Sequence, residues 1–332
     1  MCGICGFLAF DDTPPPSRDA LENMVASLAH RGPDENSTHV DGPLGLGHAR
    51  LSIIDLEGGR QPLFNEDESV VVVCNGEIYN YRELRDELVR RGHRFRTHSD
   101  CEVIAHLWEE RGTALVEQLR GMFAFVLYDR RQQLLFGARD FFGQKPLYYL
   151  HDNGLCAFAS EIKGLLALPG VPRRLDAAAL DQYLFYQYVP HPRTLFAGIS
   201  QLPPGHGFLL RDGWLTVDRY WEPTFAPQDQ RSDDECLAEV ETGLRDAVRS
   251  HMVSDVPVGL FLSGGIDSSL MLALAAEESG EPLQTFSIAF RGTEDKLMPV
   301  SVVERFQQNR RQVGVRCDVH LYEGEGHGFF NP

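Results

Sequence analysis

The sequence predicts an α+β domain built on antiparallel sheets, followed by a shorter α/β unit, and three observations carry that reading. Up to about Trp221 the chain is dominated by short apolar runs punctuated by glycine, with few helical periods between them. A stretch rich in Pro, Gln and Asp, from Glu222 to Asp234, then changes the character of the chain. Beyond it an apolar run, a glycine turn, a helical period and a second apolar run follow at the spacing of a parallel βαβ unit.

Taken in order, Val70-Val71-Val72-Val73 reads as a strand ending at Asn75-Gly76, and Phe123 to Tyr128 as a buried strand closed by a turn at Asp129. Leu134-Leu135-Phe136 and Pro146-Leu147-Tyr148-Tyr149 follow at hairpin spacing. Helices are expected over Tyr81 to Arg91 and Glu102 to Arg111, each closed by a glycine, Gly92 and Gly112. Many hairpins with few helices imply antiparallel sheets covered by helices. After the linker come an amphipathic helix from about Glu235 to Ser250 and a strand, Val258 to Leu262. The loop Ser263 to Ser269, a helix from Leu270 to Glu278 and a strand from Leu283 to Phe290 complete the unit.

At 332 residues, 43% hydrophobic and 24% charged, the chain can bury two cores. A formal charge of −17 argues against nucleic acid or an anionic membrane as partner, while leaving a local nucleotide site open. No run approaches the roughly 18–20 apolar residues of a membrane helix. The apolar start MCGICGFLAF has no basic flank and runs into Asp11 and Asp12, so it is not expected to be a signal peptide. Seven scattered cysteines, an odd number, speak against a disulfide framework and for a reducing cytoplasm.

Cys2 admits three readings. It is a packing residue, half of a C-x-x-C with Cys5, or a nucleophile. A zinc site would need a second ligand pair, and none stands at a suitable spacing, so no metal site is expected. Position favours the nucleophile: once Met1 is removed, Cys2 carries a thiol and an α-amine that titrate near ~8.5 and ~8, so one residue supplies nucleophile and base. In Asn75-Gly76-Glu77 a side-chain amide and a glycine N–H can both donate to an oxyanion, although Asn-Gly is also a common hairpin turn. Arg50 offers a fork for a carboxylate. Asp100 offers a charge for an ammonium, or simply a helix cap within Ser99-Asp100. Carboxylate, ammonium and amide together describe glutamine.

Met1-Cys2-Gly3-Ile4, His30-Arg31-Gly32-Pro33-Asp34, Arg50 to Ile54, Asn75 to Asn80, Ser99-Asp100, Ala138 to Tyr149 and Ser160 to Lys163 resemble class II glutamine amidotransferases. Among these the glutamine-dependent asparagine synthetases are the nearest in pattern, from Met1 to about Phe290. The resemblance implies an amino-terminal-nucleophile glutaminase domain over residues 1–221, with αββα layers. It implies Cys2 as nucleophile and Asn75 and Gly76 as oxyanion hole. Arg50, the backbone of Ile53 and Ile54, Glu77 and Asp100 would hold the amino-acid end of glutamine. Cys5, Cys74 and Cys101 are expected to be packing.

Ser263-Gly264-Gly265-x-Asp267-Ser268 follows an apolar strand and opens a helix, a combination suited to a pyrophosphate, though a Gly-Gly turn needs no ligand. It resembles the phosphate loop of ATP-pyrophosphatase domains, here a partial one over residues 234–290. The resemblance implies ATP and Mg2+ for this half, aspartate as the acceptor, backbone contacts from Phe261 and Ile288 to adenosine, and leaves a homodimer open. Ligases of the same family with another acceptor, such as a β-lactam or a peptide carboxylate, remain an alternative. So does an inactive scaffold, against which the joint presence of Cys2, Arg50, Asn75 and Asp100 weighs.

Residues 291–332 resemble instead the carboxy-terminal end of an α/β-hydrolase of the acetyl-esterase type. Asp295 and His327 stand where the triad acid and base would be. No G-x-S-x-G is present, so no esterase is expected. On this reading the synthetase half is truncated, two partial genes are joined, and glutamine hydrolysis without asparagine formation is expected. The strand Arg316 to Tyr322 could pair in parallel with Leu283 to Phe290.

Overall fold

A computed structural model describes residues 1–225, 231–279, 283–291 and 316–323, with side chains as far as residue 287. The chain divides into two units, Met1–Phe225 and Ala226–Pro332.

The first unit contains β1 (Gly3–Ala9), α1 (Arg18–Ser27), β2 (Glu35–Asp41), β3 (Leu44–Arg50), β4 (Leu63–Phe64), β5 (Val70–Ile78), α2 (Tyr81–Arg91), α3 (Val103–Arg111), β6 (Gly121–Asp129) and β7 (Leu134–Arg139). It continues with β8 (Tyr148–Asp152), β9 (Leu155–Ala159), α4 (Ile162–Leu166), α5 (Ala177–Tyr186), β10 (Ser200–Gln201), β11 (His206–Arg211) and β12 (Trp214–Arg219). Two six-stranded sheets result, in the orders β10-β8-β9-β1-β3-β2 and β12-β11-β7-β6-β5-β4. Every strand pair in them is antiparallel.

Alternation along each strand builds the layers. On β1, Ile4 and Leu8 enter a core shared with Val71 and Val73 of β5 and Ala124, Val126 and Tyr128 of β6, so it lies between the sheets. The odd residues Cys5 and Phe7 face the other way, into a core with Leu21, Met24, Val25 and Leu28 from α1 and its end and with Leu165 of α4. On the far side of the second sheet, Trp108 of α3 stacks on Phe136 at 5.4 Å. The layers are therefore α, β, β, α, the arrangement the sequence resemblance implied. A central strand covered on both faces needs apolar residues at even and odd positions, which is why β5 begins Val-Val-Val-Val.

Local signals hold where they are chemical. Ser17 caps α1 by accepting from the Ala20 N–H. Helix α2 ends at Gly92 and α3 at Gly112, both at positive φ (107° and 56°). Boundaries differ where long-range pairing intervenes. Asn75-Gly76 is neither a turn nor a strand end: β5 continues through it to Ile78, because β6 offers a partner at every step. The helix expected from Glu102 starts at Val103, after a 3-10 turn, Asp100–Glu102.

The second unit contains α6 (Asp233–His251), β13 (Gly259–Phe261), α7 (Ile266–Ser279), β14 (Gln284–Arg291) and β15 (Arg316–Glu323). Helix α6 opens with a full capping box, Ser232 with Glu235. Strands β13 and β14 pair in parallel, as the spacing predicted, and β15 adds to β14 in parallel from Gln284↔Arg316 to Arg291↔Glu323. The core here is small: Val248, Leu262, Leu272, Leu274, Ala275 and Leu283 are its buried members among the described residues. Asp295 and His327 lie outside the described residues. No helix among the described residues is long and apolar enough to cross a membrane.

Candidate active site

The register Gly3↔Ala49 between β1 and β3 brings Cys2, one residue ahead, alongside Arg50 and Leu51. The Leu51 N–H points at the Cys2 Sγ at 3.4 Å, and the Leu51 carbonyl lies 3.5 Å from the same sulfur. Two of the sequence motifs bolt this segment down. Arg31 Nε donates to the Cys2 carbonyl at 2.9 Å, and its Nη1 meets Glu161 at 2.9 Å. Ser160 Oγ accepts from the Ile4 N–H at 2.9 Å while the Ser160 N–H donates back to the Ile4 carbonyl at 2.8 Å. Burial alone would raise the Glu161 carboxyl, but hydrogen bonds from Arg31, His30 and Lys163 hold it at about 2. Asp34 accepts from the Ser52 N–H at 2.8 Å, closing the motif onto the loop after β3. At Gly32 a Cβ would collide with the Ala49 carbonyl, so only glycine fits.

Burial pushes the Cys2 thiol up, with the Leu51 hydrogen bond opposing. The α-amine in the structure is that of Met1, and burial lowers its pKa, which favours the neutral, proton-accepting form. Lys145, also buried, has its own pKa lowered by burial, and its charge acts on Glu77, Arg31 and Cys2. Sequence reasoning passed over Lys145, although it stands inside the motif Ala138 to Tyr149.

Strand β5 supplies the opposite wall. Its N–H groups alternate between β6 and the outer edge, so Cys74, Gly76 and Ile78 direct theirs outward. Gln61 takes the first position: its Oε1 accepts from the Cys74 N–H at 2.6 Å, and its Nε2 donates to the Cys74 carbonyl at 3.0 Å. Asp100 Oδ2 takes the third, accepting from the Ile78 N–H at 2.7 Å. Gly76 lies between these two clasps. Beside it Asn75 is 1% exposed, with neither its Nδ2 nor its Oδ1 hydrogen-bonded among the described residues. A buried amide without a partner is costly unless something else completes it. A Cβ at Gly76 would collide with the Met122 carbonyl across the sheet. This gap holds two donors, an amide and an N–H, that can serve one anionic oxygen.

The remaining candidates divide. Arg50 is buried (5% exposed) and spends its fork on its own loop: Nη1 donates to the Leu56 carbonyl at 3.2 Å and Nη2 to the Ile54 carbonyl at 3.3 Å. Its guanidinium thereby shapes the loop carrying Ile53 and Ile54, a second task the sequence did not suggest. Asp55 knots that loop, accepting from the Gly58 N–H at 3.0 Å and the His98 N–H at 2.8 Å. The cap reading of Ser99-Asp100 holds. Ser99 caps the 3-10 turn, while Asp100 reaches back to β5. Burial, with Glu77 adding to it, raises the Asp100 carboxyl to about 6. Cys5, Cys74 and Cys101 are buried, and all six described cysteines are free thiols.

In the second unit, Leu262 to Gly265 join the end of β13 to the start of α7, whose first turn carries Asp267 and Ser268. Gly264 adopts φ +80°, Ser263 Oγ and Ser268 Oγ lie 3.0 Å apart, and Phe261 is 79% exposed. The backbone at Ile288 lies on β14, opposite His320 of β15. A loop between a parallel strand and a helix amino terminus, edged by hydroxyls, fits a pyrophosphate.

The four-layer fold, with a cysteine at the head of β1 and a buried, unpartnered amide beside Gly76 on β5, defines an amidotransferase of the amino-terminal-nucleophile class. A solved structure described as the allosteric regulatory enzyme of purine biosynthesis shares the fold. It superposes with a TM-score of 0.50 at 17% identity, over 97% of this chain and 80% of that one. The family described as "Glutamine amidotransferase domain" matches residues 1–221, and the chain belongs to it. The family described as "Asparagine synthase" matches residues 239–318, running on past Phe290. "Asparagine synthetase [glutamine-hydrolyzing] 1" of Bacillus subtilis (strain 168) is 43% identical over 293 residues, 86% of this chain and 46% of that protein. "Asparagine synthetase [glutamine-hydrolyzing] 2" of Arabidopsis thaliana is 37% identical over 305 residues, 89% of this chain and 47% of its own length. The chain thus spans about half the length of the curated relatives it matches.

Proposed function

We propose that this chain hydrolyses glutamine to glutamate and ammonia at Cys2, as the amidotransferase part of an asparagine-synthetase-type enzyme. The observation that carries the reading is the buried, unpartnered Asn75 beside Gly76 on the edge of β5. With Met1 removed, the Cys2 α-amine takes the thiol proton and the sulfur attacks the carboxamide carbon. Asn75 Nδ2 and the Gly76 N–H receive the oxyanion, each donor being worth roughly 3–4 kcal/mol of barrier. The protonated amine then gives its proton to the departing nitrogen, ammonia leaves, and water resolves the thioester to glutamate. Arg50 faces the substrate carboxylate, the backbone of Ile53 and Ile54 borders it, and Glu77 and Asp100 face the ammonium.

The ammonia is destined for a carboxylate, aspartate in the reading we favour. ATP, when bound, supplies the activation of that carboxylate. Ser263, Gly264, Gly265, Asp267 and Ser268 would hold its pyrophosphate, and the backbone of Phe261 and Ile288 its adenosine. The test is glutamate and ammonia release from glutamine without ATP, in wild type and Cys2→Ala, alongside amino-terminal sequencing. Turnover by Cys2→Ala, or full turnover by a chain that retains Met1, would refute the mechanism.

A further inference from the structure

A second cluster of chemistry-bearing side chains lies on the helix-covered face of the second sheet. Glu66 comes from the loop between β4 and β5, and His93 follows the Gly92 cap of α2. His106 and Glu109 stand three residues apart on α3, hence on one face of it. One ligand atom from each of the four lies within 4.8 Å of all the others. The two carboxylate oxygens of Glu66 divide between the rings, with Oε1 3.0 Å from His93 Nδ1 and Oε2 3.3 Å from His106 Nδ1. Glu109 lies 3.7 Å from the same His93 nitrogen.

The ring of His106 is fully buried, yet neither of its nitrogens makes a hydrogen bond of acceptable geometry. An imidazole sunk in a core without a bond is under tension that a ligand would relieve. Both histidines also turn their outer nitrogen to a further carboxylate. His93 Nε2 is 3.2 Å from Glu110, and His106 Nε2 is 3.5 Å from Glu102. A carboxylate behind each imidazole is the arrangement that fixes the ring and raises its basicity toward a cation. Glu66 is fixed as well, since its Oε1 accepts from the Arg94 N–H at 2.9 Å.

We propose that Glu66, His93, His106 and Glu109 bind a divalent zinc ion that ties the β4–β5 loop to α2 and α3. Two nitrogen and two oxygen donors match zinc, whereas magnesium and calcium take oxygen alone. In a tetrahedral site with bonds of about 2.0–2.2 Å the donors stand roughly 3.4 Å apart, so the cluster closes by side-chain shifts of about 1 Å. The charge is suitable too. Glu66, Glu102, Glu109 and Glu110 converge on two imidazoles, against which stand Arg91 on Glu110 and Arg96, whose guanidinium donates to the Glu66 backbone carbonyl at 2.8 Å. His106 forms the floor and the exposed Glu109 the mouth, so an ion has a way in. The sequence gives little sign of the site, because its ligands come from three elements and only His106 and Glu109 share a helical spacing.

The experiment uses the full chain, stripped with EDTA and titrated with Zn2+, Co2+ or Mg2+ alone. A Cys2→Ser background removes the thiol as a competing ligand. One equivalent of Zn2+ should bind and raise the Tm, and Co2+ should give visible d–d bands without thiolate charge transfer. Equimolar Mg2+ should change neither. His93→Gln and the surface change Glu109→Gln should each weaken Zn2+ at least about a hundredfold, the upper end of what losing a group behind a ligand costs. Far-UV circular dichroism should stay unchanged in both. No zinc uptake by the Cys2→Ser chain would overturn the proposal. So would undiminished affinity in folded Glu109→Gln and His93→Gln.

Discussion

Burial raises the Asp100 carboxyl to about 6 while the Ile78 N–H donates to it, which in the role proposed for Asp100 joins pH to substrate capture. The folded pKa lies above the unfolded value of about 3.9, so the neutral form is favoured on folding, and that contribution is lost as pH rises through 6. Glutamine's ammonium needs the ionised form. We therefore expect kcat/KM to rise with pH through about 6. Asp100→Asn should remove this limb and lower kcat/KM by about 10- to 100-fold, the worth of a charged hydrogen bond. Above pH 6 the same variant should melt a few degrees higher, since no charge is left to bury. An unchanged pH profile would place the ammonium elsewhere. Arg50→Lys and Asn75→Ala separate binding from chemistry. The first replaces a fork by a point charge and should mainly raise KM. The second removes a donor to the oxyanion and should lower kcat by about 10² to 10³. Steady-state kinetics on both variants decides, and a change in kcat alone for both would overturn the roles.

At the scale of the element, β5 does two tasks at once. Its inner edge pairs with β6 throughout, while its outer edge is closed at Cys74 by Gln61 and at Ile78 by Asp100. Gln61 stands in for a strand that β4, only two residues long, does not extend to. Gln61→Ala should strand the Cys74 N–H, while its carbonyl keeps His48 at 3.3 Å, and cost about 1–3 kcal/mol, with a fall in kcat as Asn75 and Gly76 lose their brace. Gln61→Glu restores the acceptor but not the donor, so its stability should fall between the two in urea unfolding. Equal stability of all three would show the clasp to be idle. Gln61 could not be singled out from the sequence, since a lone glutamine before a proline carries no signal until the strand it clasps is known.

For the molecule as a whole, every group in the proposed glutamine site belongs to Met1–Phe225, and the two cores of that unit draw on that unit alone. A chain ended after Phe225 should keep glutaminase turnover within about twofold and unfold in one transition, because each domain owns its core. Loss of activity or of cooperative unfolding in that chain would show that the second unit completes the first. The small core of the second unit predicts that it melts first in the full chain, which differential scanning calorimetry would resolve.

What the sequence determined by itself was chemistry tied to local order. It yielded the cysteine at the head of β1, the glycine caps of α2 and α3, the amphipathic helix α6, the parallel βαβ unit and the motifs of the amidotransferase family. These are legible because dihedral preference, hydrophobic period and reactive groups are properties of neighbouring residues. Tertiary structure alone decided the rest. Asn75-Gly76 lies inside a strand and not at its end, because a pairing partner some fifty residues away outweighs the turn preference of the dipeptide. Arg50 turns back to brace its own loop, while Lys145 comes near enough for its charge to act on Cys2, and Glu66, His93, His106 and Glu109 converge from three elements. Sequence spacing holds no distance across a sheet. Such contacts exist only once the layers have packed, when burial has taken water away and made each buried polar group find a partner.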